Sequence, residues 1–281
     1  RASGGSSNIQ LGSSSTIAAT DSNAGGVVEA NIGGLVEIDA GQGQGRAEIG
    51  GSVTASGTSG GGRVAIAGRE VEQSADGLID ASGAQAGGIV EIDAVETLVL
   101  RGQVKAESSS GVGGEIAATA RTLIIHDGAG LSANGFSAGG RIRVGGDFQG
   151  RDTDLVREAD GVRVGRGAKL SADSLAGDAG IVIVWANVDT LFLGEVSASA
   201  LGGTGDGGFV EVSGRERLYF DGDARVSTVG GKVGTVLFDP GDITIGATGT
   251  TPAGRSAPNS ALQRSGRAGP GRVPASSPAV A

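Results

Sequence analysis

Cysteine and methionine are absent from this 281-residue chain, histidine and tryptophan occur once each, and aromatic residues make up only 3%. Without cysteine there is no disulfide and no thiolate, and a single histidine makes a zinc site of the usual kind untenable. No apolar run approaches the ~20 residues that a membrane-spanning helix needs, so the sequence predicts no membrane span. Any core must be built from Val, Ile, Leu and Ala, which suit narrow, closely stacked layers.

Charge is distributed unevenly along the chain. Residues 252–281 contain four arginines and no acid, which leaves 18 basic and 31 acidic groups, a net charge of −13, on residues 1–251. An acidic body of this kind repels nucleic acid and anionic lipid. The sequence therefore predicts no nucleic-acid partner.

Glycine, by contrast, is abundant and periodic. The 56 glycines lack the strict every-third-residue period of collagen, but a glycine-rich step followed by an apolar strand recurs along the chain. The last glycine of each step lies at Gly34, Gly62, Gly88, Gly114, Gly140, Gly180, Gly208 and Gly234. The commonest interval between these glycines is 26 residues, and one interval is 40.

The strand after each step alternates with a period of two. The residue two positions after the glycine is always β-branched and the residue four positions after it is always apolar, whereas the residue between them varies freely. This alternation predicts an inward ladder and an indifferent outward row. The inward residues two positions after the glycines are Val36, Val64, Val90, Ile116, Ile142, Val182, Val210 and Val236. The outward row, one position further on, is Glu37, Ala65, Glu91, Ala117, Arg143, Ile183, Glu211 and Leu237.

Each repeat carries two more short apolar segments joined by glycine turns. The second segments are clearest at residues 98–100, 123–125, 191–193 and 218–220, and the third segments contain Val104, Leu131, Val196 and Ala224. The sequence therefore predicts an all-β parallel β-helix (solenoid) with three short strands per coil. A β-sandwich with glycine-rich hairpins is the alternative, but it does not explain a 26-residue register of constant phase.

Two regions depart from the repeat. The 40-residue interval predicts a charged loop insertion near 147–167, which is either a solvated excursion or a binding loop. Residues 252–281 hold five of the six prolines and no apolar periodicity, so they are predicted to be a disordered Pro/Arg-rich tail. The predicted domains are thus a β-helix solenoid at 1–251 and this tail at 252–281.

No residue pattern predicts catalysis, a cofactor or a metal. His126-Asp127 lies where a turn is expected and has no accompanying nucleophile, and Glu37, Glu91 and Glu211 share the outward phase without falling on adjacent coils. Residues 202–206 (GGTGD) are similar to a calcium-binding nonapeptide repeat, but the spacing differs by one residue and the motif occurs only once in the sequence. A flexible corner is the simpler interpretation. Trp185 falls in an outward phase, where packing beneath the preceding insertion is favoured over ligand contact.

Residues 139–245 resemble the haemagglutination-repeat region of filamentous-haemagglutinin-like exoproteins of two-partner secretion. The segments that carry the resemblance are 139–150 (GGRIRVGGDFQG), 183–186 (IVWA), 207–214 (GGFVEVSG) and 234–245 (GTVLFDPGDITI). Earlier residues match only at the level of the repeat. The Asn-Pro-Asn motifs of the family's N-terminal secretion domain do not occur in this sequence.

The resemblance implies a right-handed β-helix in a large adhesin that is secreted or displayed on the bacterial cell surface. It implies an outer-membrane two-partner transporter and a host-cell or bacterial surface receptor, protein or glycan, as partners, and it implies neither an enzyme nor a cofactor. We therefore expect a non-catalytic stalk segment. The alternatives are a carbohydrate-active parallel β-helix enzyme and the stalk of a contact-dependent toxin exoprotein.

Overall fold

The structure is a computed structural model that describes residues 2–4, 9–11, 16–18, 34–40, 45–151 and 157–241; at 2–4, 9–11 and 16–18 the backbone alone is described. Within these ranges the regular secondary structure is β-strand, with one helical segment, a 3-10 turn at Phe148–Gly150. No helix of the described residues is long and apolar enough to cross a membrane.

The strands recur in sets of two or three, each of which forms one coil, and β22 alone represents the last coil. The first coils are β1 (Ala2–Gly4), β2 (Ile9–Leu11) and β3 (Thr16–Ala18), then β4 (Leu35–Ala40), β5 (Arg46–Ile49) and β6 (Ser52–Thr54). In the next three coils the first two segments merge: β7 (Arg63–Gln73) with β8 (Leu78–Asp80), β9 (Ile89–Leu100) with β10 (Gln103–Lys105), and β11 (Glu115–Ile125) with β12 (Gly130–Ser132). The remaining strands are β13 (Arg141–Val144), β14 (Gly161–Val164), β15 (Lys169–Ser171), β16 (Ile181–Ala186), β17 (Asp189–Phe192), β18 (Glu195–Ser197), β19 (Phe209–Gly214), β20 (Arg217–Phe220), β21 (Asp223–Arg225) and β22 (Thr235–Leu237).

Every strand pairs in parallel with its counterpart in the neighbouring coils. The first ladder runs β1-β4-β7-β9-β11-β13-β16-β19-β22, and the third runs from β3 to β21 through each third strand in turn. The second ladder joins β2 and β5 to the latter parts of β7, β9 and β11 and continues through β14, β17 and β20. Three strand segments per coil in parallel ladders make a parallel β-solenoid, which confirms the predicted fold class. Its right-handed winding stays a prediction.

The core is the predicted inward ladder. Val64, Val90 and Ile116 pair in register and are completely buried, and Val236 at the far end is 8% exposed. The residues four positions after the glycines are buried as well, except Phe238, which is half-buried and packs on Phe220 with ring centroids 4.7 Å apart. Each fully buried Val or Ile contributes about 1.5–3 kcal/mol of hydrophobic stabilisation. Stacking of identical branched side chains therefore stabilises the fold.

The last glycine of each glycine-rich step recurs because there is no room for a side chain at the corner between coils. A Cβ atom on Gly114 would overlap the carbonyl oxygen of Gly88 in the previous coil and lie 2.7 Å from the carbonyl carbon of Gly87. The same overlap arises at Gly140, against the carbonyl oxygen of Gly114. The 26-residue glycine register is thus imposed by the close approach of successive backbones.

Gly114→Ala should lower the free energy of unfolding by about 3 kcal/mol, because the methyl group collides with backbone atoms that cannot rotate away. Gly161→Ala is the matched control, since the nearest atom to its Cβ is the Asp189 carbonyl oxygen at 3.9 Å, and it should change stability by less than about 0.5 kcal/mol. Urea unfolding followed by circular dichroism measures both. Equal losses in the two variants would contradict the steric origin of the glycine register.

The loop predicted near 147–167 is shorter in the structure. β14 at Gly161–Val164 pairs with β11 below and β17 above, so it is an ordinary rung of the second ladder. Among the described residues the chain leaves the solenoid between β13 and β14, and we call residues 145–151 and 157–160 the excursion. The tail at 252–281 lies outside the described residues, and the division into domains stays a prediction.

Candidate functional site

The outer face of the first sheet divides into an open part and a covered part. Glu37, Ala65 and Glu91 point away from the core and are partly exposed, as predicted. The rest of the outward row is buried, with Ile183 2% and Glu211 0% exposed. The outward side of the strands is therefore covered from the coil of Ala117 onward, where Arg143 and Leu237 are buried too, which the alternation did not reveal.

The excursion covers the buried part of the face. Trp185 is only 4% exposed, and its ring lies so close to Gly146 and Gly150 that a Cβ atom on either would be 2.5 Å and 2.8 Å from it. Phe148 at the tip of the excursion meets Phe209 edge to face, with ring centroids 5.7 Å apart. Packing beneath the insertion, the favoured interpretation of Trp185, is thus confirmed.

Asp147 anchors the start of the excursion. Its carboxylate is 3% exposed and accepts hydrogen bonds from Arg141 Nη2 at 2.5 and 2.8 Å, from Arg143 Nη1 at 3.1 Å and from the Phe148 backbone N–H at 2.6 Å. Arg143 also binds Glu115 in the preceding coil. Charge-assisted hydrogen bonds of this kind are roughly twice as strong as neutral ones, so they fix where the excursion begins.

Arg157 anchors the other end. Its guanidinium binds Asp93 in two parallel hydrogen bonds, Nε to Oδ1 at 2.7 Å and Nη2 to Oδ2 at 3.0 Å, and Asp93 Oδ1 also accepts from the Thr119 hydroxyl at 2.8 Å. These contacts raise the pKa of Arg157 further above its ordinary value. The excursion therefore reaches across the outer face from the coil of β9 to the coil of β22.

Glu211 lies beneath the turn at Phe148–Gly150. Its two carboxyl oxygens accept the Gln149 backbone N–H at 3.2 and 3.3 Å, and one of them also accepts the Ser213 hydroxyl at 3.0 Å. The Gln149 side chain donates to Asp239 at 3.0 Å. Burial raises the pKa of Glu211 from its ordinary 4.5 to about 7, and the nearby carboxylates of Asp239 and Asp147 add to the shift.

Gly150→Ala tests the contact between the excursion and Trp185. Gly150 has a left-handed backbone with φ +61°, so alanine would be strained there and would also press on the indole ring. We expect the stability of the closed turn to fall by about 1–3 kcal/mol, and acrylamide to quench the fluorescence of the single tryptophan more efficiently. Gly128→Ala is the control, since φ is +80° there but nothing lies within 4 Å of the added Cβ; quenching that changes equally in both would contradict the contact.

The open part of the outer face is a shallow groove. It has a volume of about 650 Å³ and is lined by small side chains, including Ala65 and Ala67, and by charged ones. Among the charged ones, Arg63 pairs with Glu91. None of the residues that line the groove is aromatic, and Ala65 lies between Glu37 and Glu91 in the ladder, so these carboxylates do not face each other on adjacent coils. The groove is thus suited to polar contact and not to stacking against sugar rings.

A second groove of about 530 Å³ follows the corner after the third strands, with Glu107, Asn134 and Asp173 on one side and the exposed side chains of Leu175 and Leu201 on the other. Asp173 Oδ1 accepts from the Ser197 hydroxyl and the Ser199 backbone N–H, both at 2.6 Å. Hydroxyl residues at this corner therefore link neighbouring coils.

The remaining candidate residues are in turns. His126 and Asp127 are exposed between β11 and β12, beside Gly128. In the loop at 202–206, the Asp206 backbone N–H donates to Asp178 at 2.8 Å and Asp206 Oδ1 accepts the Lys232 backbone N–H at 2.7 Å. Within the described residues no group of three or more His, Cys, Asp or Glu side chains could hold a metal ion.

Comparisons with known proteins give a likeness of fold. No family model and no curated protein matches the sequence. Among solved structures, the crystal structure of the HMW1 secretion domain from Haemophilus influenzae matches with a TM-score of 0.56 and 20% sequence identity, over 68% of this chain and 50% of that one. The chain thus spans about half the length of that structure. At this identity the match establishes a shared fold.

Proposed function

We propose that the chain is a structural stalk segment of a large bacterial adhesin that is secreted or displayed on the cell surface by two-partner secretion. The observation that carries the proposal is the likeness of its stacked coils to a secretion domain, at a TM-score of 0.56. An outer-membrane transporter is the partner implied for export. Surface receptors, protein or glycan, would be contacted through exposed faces and corners.

The use of the apolar residues supports a non-catalytic role. The inward ladder and its neighbours in the second and third strands bury the branched residues in one continuous cluster, from Val36 to Val236. A rod built in this way gains length with each coil and needs no separate catalytic domain. A carbohydrate-active enzyme is the less favoured alternative, because the residues lining the open groove include no aromatic side chain.

Immunolabelling of the source bacterium tests the proposal. Antibody raised against the folded chain should label intact cells or the culture medium, and deletion of the gene for the outer-membrane transporter should abolish that label while the protein accumulates inside the cell. Label that appears only after the cells are permeabilised would contradict export. Release of reducing ends from plant or bacterial polysaccharides by the purified chain would favour the enzyme instead.

A further inference from the structure

The turn at Phe148–Gly150 is held in a conformation that is costly by itself. Gln149 is the single non-glycine residue with a positive φ, +52°, among the described residues. Such a backbone costs roughly 1–3 kcal/mol and persists only where its surroundings determine it. Here the Gln149 backbone N–H points at both carboxyl oxygens of Glu211, and its side chain reaches Asp239. Glu211 is therefore the group that holds the strained residue in place.

Glu211 is surrounded by two hydrogen-bond donors, apolar side chains and other carboxylates. From its own strand Ser213 donates a hydroxyl; the neighbouring strands place Ile183 below and Leu237 above. The corner after β22 contributes Asp239, and the excursion contributes Asp147. The two arginines on this side, Arg141 and Arg143, both bind Asp147. A charge on Glu211 is thus buried beside two other carboxylates.

We propose that Glu211 is a proton-operated latch, which holds the turn at Phe148–Gly150 on the outer face when it is protonated and releases the turn when it is charged. Its hydrogen bonds from Gln149 and Ser213 favour the charged form, but burial and the carboxylates of Asp239 and Asp147 outweigh them. Release of the turn admits water to Glu211 and removes that cost. It also exposes the indole ring of Trp185 and the ring of Phe209, which the turn covers.

The direction and size of the response follow from the two pKa values. In the closed state the pKa of Glu211 is about 7, and in the open state it returns towards its ordinary 4.5. Protons therefore favour the closed state, and raising the pH through this window favours the open state. Each unit of pKa difference is worth a factor of ten, so the population of the open state should rise roughly a hundredfold between pH 4.5 and pH 8.

Hydrogen exchange on the full chain tests the latch. The protection factors of the amides at residues 149–151, which correct for the intrinsic acceleration of exchange with pH, should fall about a hundredfold between pH 4.5 and pH 8. In Glu211→Gln, which keeps the acceptor and removes the charge, they should stay constant. Asp239→Asn should move the fall to lower pH, because one of the carboxylates that raises the pKa of Glu211 is removed.

The matched control is Glu91→Gln, at the same outward phase in the open part of the face. In this variant the protection at 149–151 should depend on pH as it does in the unmodified chain. Amides of β9 report on the solenoid itself and should keep their protection throughout. The proposal is overturned if protection at 149–151 is independent of pH in the unmodified chain, or if Glu211→Gln shows the same fall. It is overturned too if β9 loses protection in parallel, since the whole solenoid would then be opening.

Discussion

Val210→Asp should prevent the chain from folding. Val210 is 0% exposed and stacks between Val182 and Val236 in the first ladder, so an aspartate there would bury a charge with no cation to pair with it. The cost of an unpaired buried charge, several kcal/mol, is comparable with the whole stability of a typical domain, about 5–15 kcal/mol. We expect loss of the β-sheet signal in circular dichroism and accumulation of the variant in the insoluble fraction.

Tyr219→Asp is the control for that experiment. Tyr219 lies in β20 of the same coil but faces outward with 60% of its surface exposed, so the same new charge should change stability by less than about 1 kcal/mol. Val210→Asp with an unchanged melting temperature would show that the inward assignment of the ladder is incorrect.

Glu211→Gln should stabilise the fold at high pH and leave it unchanged at low pH. Because the pKa of Glu211 is raised in the native state to about 7, the native state retains a proton that the unfolded chain loses near 4.5. Stability therefore falls as the pH rises through that window, by at most about 3 kcal/mol, because release of the turn relieves part of the cost of the buried charge. Glutamine has no such cost, so at pH 8 the variant should be more stable than the unmodified chain by up to this amount.

Urea unfolding at pH 4 and at pH 8 measures this difference. The two proteins should unfold at similar urea concentrations at pH 4, where Glu211 is uncharged in both the native and the unfolded state, and should diverge at pH 8. This result concerns the whole fold, whereas exchange at 149–151 concerns the turn alone. Equal stability of the two proteins at both pH values would mean that Glu211 is solvated in the native state, contrary to its complete burial.

The inward ladder could be predicted from the sequence because its signal is local and repeated. The β-branched residue two positions after each glycine, from Val36 to Val236, is buried in every coil. The third strands around Val104 and Leu131 also lie where the pattern placed them. Period-two alternation states which side of a strand faces the core, and eight copies of one phase leave little freedom in register.

The latch could not be predicted in this way. Alternation correctly assigned Glu211 and Ile183 to the side away from the core, but it carries no information on what covers that side. Both are buried because residues more than thirty positions earlier in the chain, around Gln149, cross over them. The one available signal was the 40-residue interval, which revealed extra residues without showing where they pack. For the same reason β14 was included in the predicted loop, since the interval did not show which of its residues return to the ladder.

The sequence by itself therefore determined the repeat, the parallel stacking of coils and the absence of disulfides, because each depends on composition or on contacts between equivalent positions. Only the tertiary structure decided that five of the eight outward positions are covered, that Trp185 is enclosed, and that Glu211 is buried among carboxylates. Those features arise from contacts between segments that share no register. Their energies depend on desolvation, which is a property of the folded surroundings and not of the residue.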